Sequence, residues 1–84
     1  MRIITARGID VPYDGWVVYA TRDEMPPYRW FVKIGPPVDA ETYELTACKT
    51  QKEAKEIISQ IAELAIKGTK LIRMSENGEI TVVA

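Results

Sequence analysis

The chain has 84 residues, of which 46% are hydrophobic, and its 11 basic and 12 acidic side chains give a formal net charge of −1. This size and composition indicate one soluble globular domain over residues 1–84. The balanced charge argues against a general nucleic-acid binder, and no apolar run is long enough for a membrane span or a signal peptide.

The residue types that most often carry catalysis are scarce. Histidine is absent and Cys48 is the single cysteine, so an internal disulfide, an imidazole metal site and a Ser–His or Cys–His pair are excluded. The acidic pairs Asp23-Glu24 and Asp39/Glu41 lie in segments predicted as solvated turns. We therefore predict a non-enzymatic cytoplasmic protein without catalytic, cofactor-binding or metal-binding residues. No motif in the chain identifies a protein family.

The first half of the chain has the composition of β-strands. Four segments are rich in β-branched and aromatic residues, at 2–7, 15–22, 28–35 and 42–48. Residues 8–14 contain Gly, Pro and two Asp, which predicts a loop, and Pro26-Pro27 predicts a turn. These segments predict a four-stranded antiparallel meander.

The period of the apolar residues then changes from 2 to 3.6, which predicts an amphipathic helix. Its predicted inner stripe includes Ile57, Ile61 and Leu64. Thr50 and Glu53 have the spacing of a capping box at the start of the helix, and Gly68 suits the left-handed residue that follows its last turn.

The C-terminal segment predicts a hairpin about Asn77-Gly78. A three-residue loop over residues 76–78 places Met74 opposite Ile80 and Ile72 opposite Val82, which separates apolar from polar residues. Because strand directions alternate, the fifth strand is expected to join the first antiparallel. The predicted fold is therefore α+β, with strand order 4-3-2-1-5-6 and one helix packed on one face of the sheet.

Cross-strand pairing defines two faces of the predicted sheet. Placing Ala20 opposite Trp30 and Val32 opposite Leu45 makes one face apolar, as expected beneath the helix. The same registers place Tyr19 opposite Phe31 and Lys33 opposite Glu44 on the outer face.

The outer face carries aromatic and basic side chains together: Tyr19, Arg29, Phe31 and Lys33. Three interpretations remain open for this cluster. The rings could simply stabilise the sheet across strands, they could contact another protein, or they could stack the bases of single-stranded nucleic acid.

The width of the sheet predicts a second surface. Six strands span roughly 24–29 Å, whereas a helix is about 10 Å across and covers two or three strands. Apolar residues of the C-terminal hairpin should then remain uncovered and form a dimer contact centred on Ile72, Ile80 and Val82. The alternative is a sheet that wraps the helix and buries these residues within one chain. The predicted function is a self-associating protein–protein interaction module, with single-stranded nucleic-acid binding as the alternative.

Overall fold

A computed structural model describes residues 1–38 and 41–84 of the chain. Over these residues the fold is α+β, as predicted, with seven strands and one helix. The elements in chain order are β1 (Arg2–Ile4), β2 (Asp10–Pro12), β3 (Val17–Arg22), β4 (Trp30–Gly35), β5 (Tyr43–Cys48), α1 (Gln51–Ile66), β6 (Leu71–Met74) and β7 (Ile80–Val82).

The strands form two sheets, so the predicted order 4-3-2-1-5-6 is wrong at the link between its second and first strands, whereas the neighbours 4-3-2 and 1-5-6 are confirmed. Sheet A has the order β2-β1-β6-β7, and sheet B has the order β3-β4-β5. The difference arises in residues 8–14, the segment that the sequence predicts as a loop. Val11 in this segment is buried and pairs with Ile3. The strand β2 therefore occupies the edge of β1 that the prediction assigns to β3. Because β2 adds a reversal of the chain, β6 runs parallel to β1, with Ile72 beside Ile3, instead of antiparallel.

The register between β3 and β4 is displaced by two residues from the prediction, since Ala20 lies opposite Val32 and not Trp30. The cause is the turn: the Asp23 N–H donates to the Arg29 carbonyl over 2.8 Å, and Tyr28 lies inside the turn with φ of 58°. A displacement by an even number leaves the side-chain faces unchanged. Val18, Val32 and Ile34 therefore still face the core.

A β-bulge interrupts the register between β4 and β5. The predicted pairs Lys33–Glu44 and Ile34–Tyr43 are confirmed, but Val32 lies opposite Thr46, so Leu45 is the extra residue. The residues Leu45–Cys48 are all buried. Because of the bulge, the residues from Leu45 onward no longer alternate between buried and exposed positions in the way that the sequence pattern assumes.

Two hydrogen bonds connect β5 to the segments of sheet A. The Ala6 N–H donates to the Leu45 carbonyl over 3.0 Å, and the buried Thr46 hydroxyl donates to the Ser75 carbonyl over 2.6 Å. The Ser75 carbonyl is free to accept because the Glu79 N–H donates to Ser75 Oγ instead. These bonds hold the two sheets side by side.

The helix α1 begins and ends as its sequence predicts. Thr50 Oγ1 accepts the Glu53 N–H over 3.2 Å, while a Glu53 carboxylate oxygen accepts the Lys49 N–H over 3.3 Å. At the other end, Gly68 has φ of 85° and the Thr69 N–H reaches the Leu64 carbonyl, which forms a Schellman motif. The helix packs on β3, β4 and β5.

The C-terminal hairpin has the predicted register, with Met74 opposite Ile80 and Ile72 opposite Val82. Its turn approaches α1 so closely that a Cβ atom on Gly78, which has φ of 89°, would lie 2.9 Å from Ile57 Cδ1. The buried residues of both sheets and the helix form one cluster: Ile3, Val11, Val32, Ile34, Leu45, Cys48, Ala54, Ile57, Ile61, Ile72 and Met74.

Candidate interaction surfaces

The aromatic and basic residues predicted to share the outer face lie on sheet B, on the side away from α1. Tyr19 lies opposite Lys33, and Phe31 lies opposite Thr21. The predicted direct pair of Tyr19 with Phe31 is therefore wrong, because the two-residue displacement of β3 makes them diagonal neighbours. Arg29 immediately precedes β4 and is exposed.

The two rings of this face differ in their accessibility. Tyr19 is 36% exposed, whereas Phe31 is partly buried and the Lys33 Nζ atom lies 5.9 Å from the centre of its ring. This geometry is a weak cation–π contact, in which the lysine side chain lies near the ring. A second such contact joins Arg22 to Tyr28, 4.9 Å from the ring centre, in the turn beyond the sheet.

Phe31 also lines a groove of about 310 Å³ between sheet B and the segments of sheet A. The charged residues around this groove are Arg7, Arg29, Glu44 and Glu76. Two positive and two negative side chains balance, and the Arg7 guanidinium lies 3.8 Å from the Glu44 carboxylate. The groove therefore lacks the net positive charge that attracts a phosphate backbone.

The second surface is the open edge of sheet A. In the described part of the chain, β7 has β6 on one side and no strand on the other. The Ser75 N–H donates to the Glu79 carbonyl and the Val83 N–H donates to the Leu71 carbonyl, so the odd-numbered residues of β7 bond to β6. Because these directions alternate along a strand, Ile80 and Val82 direct their N–H and C=O groups toward the open edge.

A groove of about 260 Å³, apolar over most of its surface and bordered by the charged residues Glu63 and Lys67, runs between this edge and the helix. It is lined by Gln60, Glu63, Leu64, Lys67, Ile80 and Val82. Val82 is 55% exposed, and Ile80 and Leu64 are partly buried. Leu64, which the sequence predicts as a core residue, packs partly against the core and also lines this groove. Helical periodicity alone does not distinguish these two positions.

The predicted dimer contact requires a correction at Ile72. This side chain is 0% exposed, because β6 lies between β1 and β7 at the centre of sheet A and closes over the common core. Ile72 therefore offers no side-chain surface to a second molecule. Ile80 and Val82 do lie at the open edge.

Cys48 and Trp16, two further candidates of the sequence, lie in structural positions. Cys48 is 4% exposed, and burial, with a smaller effect of Glu53, raises the pKa of its thiol. Trp16 stacks on Tyr43 with ring centres 6.1 Å apart beside the core. Glu41 is exposed, and Asp39 lies outside the described residues. Over residues 1–38 and 41–84, no three His, Cys, Asp or Glu side chains form a group that could hold a metal ion.

In comparisons with known proteins, no family model, curated protein or solved structure matches the chain. Among the residues that the structure describes, no helix has both the length and the apolar character required to cross a membrane.

Proposed function

We propose that this chain is a non-enzymatic, cytoplasmic protein–protein interaction module that associates with a second copy of itself through the open edge of β7. The observation that supports this proposal is the coincidence of two features on one strand. Ile80 and Val82 direct backbone groups outward, and their side chains line the apolar groove beside α1. A partner strand would satisfy the backbone groups and cover the groove at the same time.

The energetic gain comes from both features. Full burial of a valine side chain stabilises by about 1.5–3 kcal/mol, and Val82 still has 55% of its surface exposed. Each intermolecular backbone hydrogen bond adds about 0.5–1.5 kcal/mol net. These gains must exceed the loss of translational and rotational freedom on association. We therefore expect a dimer that dissociates on dilution.

The edge strand β3, which is twice as long as β7, is the alternative site for self-association. Its inner-face residues Val18 and Ala20 pack against the core, as Ile80 of β7 does, and the helix contacts β3 directly. Its outer face exposes Val17 and Tyr19, and the groove at the end of β3 includes the charged residues Arg22, Asp23 and Glu24 in its lining. Pairing at β3 would therefore place charged side chains beside the contact.

Solution mass tests the proposal with a matched pair of variants. Val82 and Val17 are both exposed valines on edge strands, at 55% and 49%. A lysine at position 82 would place a charge in the proposed contact, whereas Val17→Lys changes the edge strand of sheet B. We expect the unmodified chain and Val17→Lys to sediment as dimers at high micromolar concentration, and Val82→Lys to sediment as a monomer.

Two results would contradict the proposal. One is an unmodified chain that stays monomeric at high micromolar concentration. The other is dissociation by Val17→Lys with no effect of Val82→Lys, which would move the contact to β3.

Single-stranded nucleic-acid binding by Tyr19, Arg29, Phe31 and Lys33 is the second candidate function. The feature that favours it is the exposed ring of Tyr19 beside the Lys33–Phe31 contact. The feature that opposes it is the pair of carboxylates, Glu44 and Glu76, around the groove beside Phe31.

Titration with an unstructured oligonucleotide at low ionic strength separates the two functions. If the outer face binds single strands, Phe31→Ala should weaken binding by about 1–3 kcal/mol. Tyr28→Ala, which removes a ring that also contacts an arginine but lies in the turn, should leave binding unchanged. We expect no binding by the unmodified chain, because Glu44 and Glu76 offset two of the three positive side chains around Phe31.

A further inference from the structure

We infer that two copies pair through β7 in a single antiparallel register that places Thr81 opposite Thr81 of the second copy, on the two-fold axis. This inference rests on the proposed function and specifies its geometry. Closed pairing of identical surfaces requires a two-fold axis, and two copies of one strand related in this way across a sheet edge run antiparallel.

The directions of the backbone groups limit the possible registers to three. In an antiparallel pair, residues that exchange both hydrogen bonds lie directly opposite each other. Within β7 the residues with outward groups are Ile80 and Val82. The candidates are therefore Ile80 opposite Ile80, Val82 opposite Val82, and Ile80 opposite Val82.

Two of these registers form fewer hydrogen bonds. Ile80 opposite Ile80 would bring Val82 to Gly78, which lies in the turn with φ of 89° and packs against the helix. Val82 opposite Val82 would bring Ile80 to Ala84, whose carbonyl already accepts the Lys70 N–H over 2.8 Å and whose N–H donates to the Leu71 carbonyl. In each case only the central pair can exchange both bonds.

The third register uses every outward group of the strand. Ile80 and Val82 of one copy lie opposite Val82 and Ile80 of the second copy, which gives four intermolecular hydrogen bonds. Both apolar pairs lie on the inner face beside Leu64, and Thr81 meets its own copy on the outer face, a favourable cross-strand pair. The strand order of sheet A then continues from β7 of one copy into β7 of the other.

Disulfide trapping tests the register. Side chains opposite each other at a non-hydrogen-bonded position have Cβ atoms about 4.5–5.5 Å apart, close enough for a disulfide with little movement. We expect Thr81→Cys to form a covalent dimer under mild oxidation at least ~10-fold faster than Glu79→Cys or Val83→Cys. The native Cys48 should not compete, because it is buried.

Mixed samples identify the other registers directly. Cross-linking of Thr81→Cys with Glu79→Cys, in preference to Thr81→Cys with itself, would indicate the Ile80–Ile80 register. Preferential cross-linking of Thr81→Cys with Val83→Cys would indicate the Val82–Val82 register. Either result would overturn the inference.

A further variant excludes cross-linking by random collision. Adding Val82→Lys to Thr81→Cys should abolish the rapid cross-link, and a cross-link that persists would contradict the inference. A chain that is dimeric by mass, dissociates on Val82→Lys and does not cross-link at position 81 pairs through β7 in a different register, so the inference fails while the proposed function stands. A chain that is monomeric by mass contradicts both.

Discussion

At the scale of single residues, Thr46 contributes more to this fold than its residue type suggests. It is a polar side chain buried beside the bulge of β5, and its hydroxyl donates to the Ser75 carbonyl over 2.6 Å. Ser75 lies at the start of the turn that leads into β7. The bond therefore positions the hairpin whose outer strand carries the proposed contact.

Replacing Thr46 with valine keeps the shape of the side chain and removes the donor. We expect Thr46→Val to lower the free energy of unfolding by about 1–2 kcal/mol, because the Ser75 carbonyl loses its partner. Thr21→Val, on the partly exposed outer face of β3, is the matched control and should change the free energy of unfolding by less than about 0.5 kcal/mol. Urea denaturation measures both. Equal small effects would show that the hydroxyl contributes nothing to holding the hairpin.

At the scale of elements, the sequence predicts well those features that local chemistry determines. The helix caps at Thr50 and Gly68 and the hairpin register about Gly78 are confirmed, since each depends on a few neighbouring residues with specific backbone preferences. The faces of β3 and β4 are also as predicted, because alternation determines which side chains point inward.

The incorrect predictions concern features that the alternation of apolar and polar residues does not encode. Alternation cannot distinguish registers that differ by two residues, so it could not place Tyr19 opposite Lys33. It also assumes an uninterrupted strand, and the extra residue Leu45 violates that assumption. The strand β2 has three residues among turn-forming ones, and its single buried side chain, Val11, forms no pattern.

At the scale of the whole molecule, the division into two sheets determines which apolar residues remain accessible. The predicted single sheet leaves the whole hairpin uncovered, including Ile72. In the structure, sheet A closes over the core and buries Ile72 and Met74 within one chain, which for these two residues is the result expected of the alternative, a sheet that wraps the helix. Val82 remains exposed because β7 is the last strand of its sheet. The proposed contact is therefore a strand edge with an adjoining groove and not a broad apolar face.

Backbone amide exchange at Ile80 and Val82, measured at low and at high protein concentration, tests this account most directly. Pairing through β7 would place both N–H groups in intermolecular hydrogen bonds, so their exchange should slow at least ~10-fold as the concentration rises. On β3, the Asp23 N–H bonds toward β4, so Val18 and Ala20 direct their N–H groups to the open edge of that strand. These two groups are internal controls and should exchange at the same rate throughout. Exchange at Ile80 and Val82 that does not depend on concentration, or protection that develops at Val18 and Ala20 instead, would contradict association through β7.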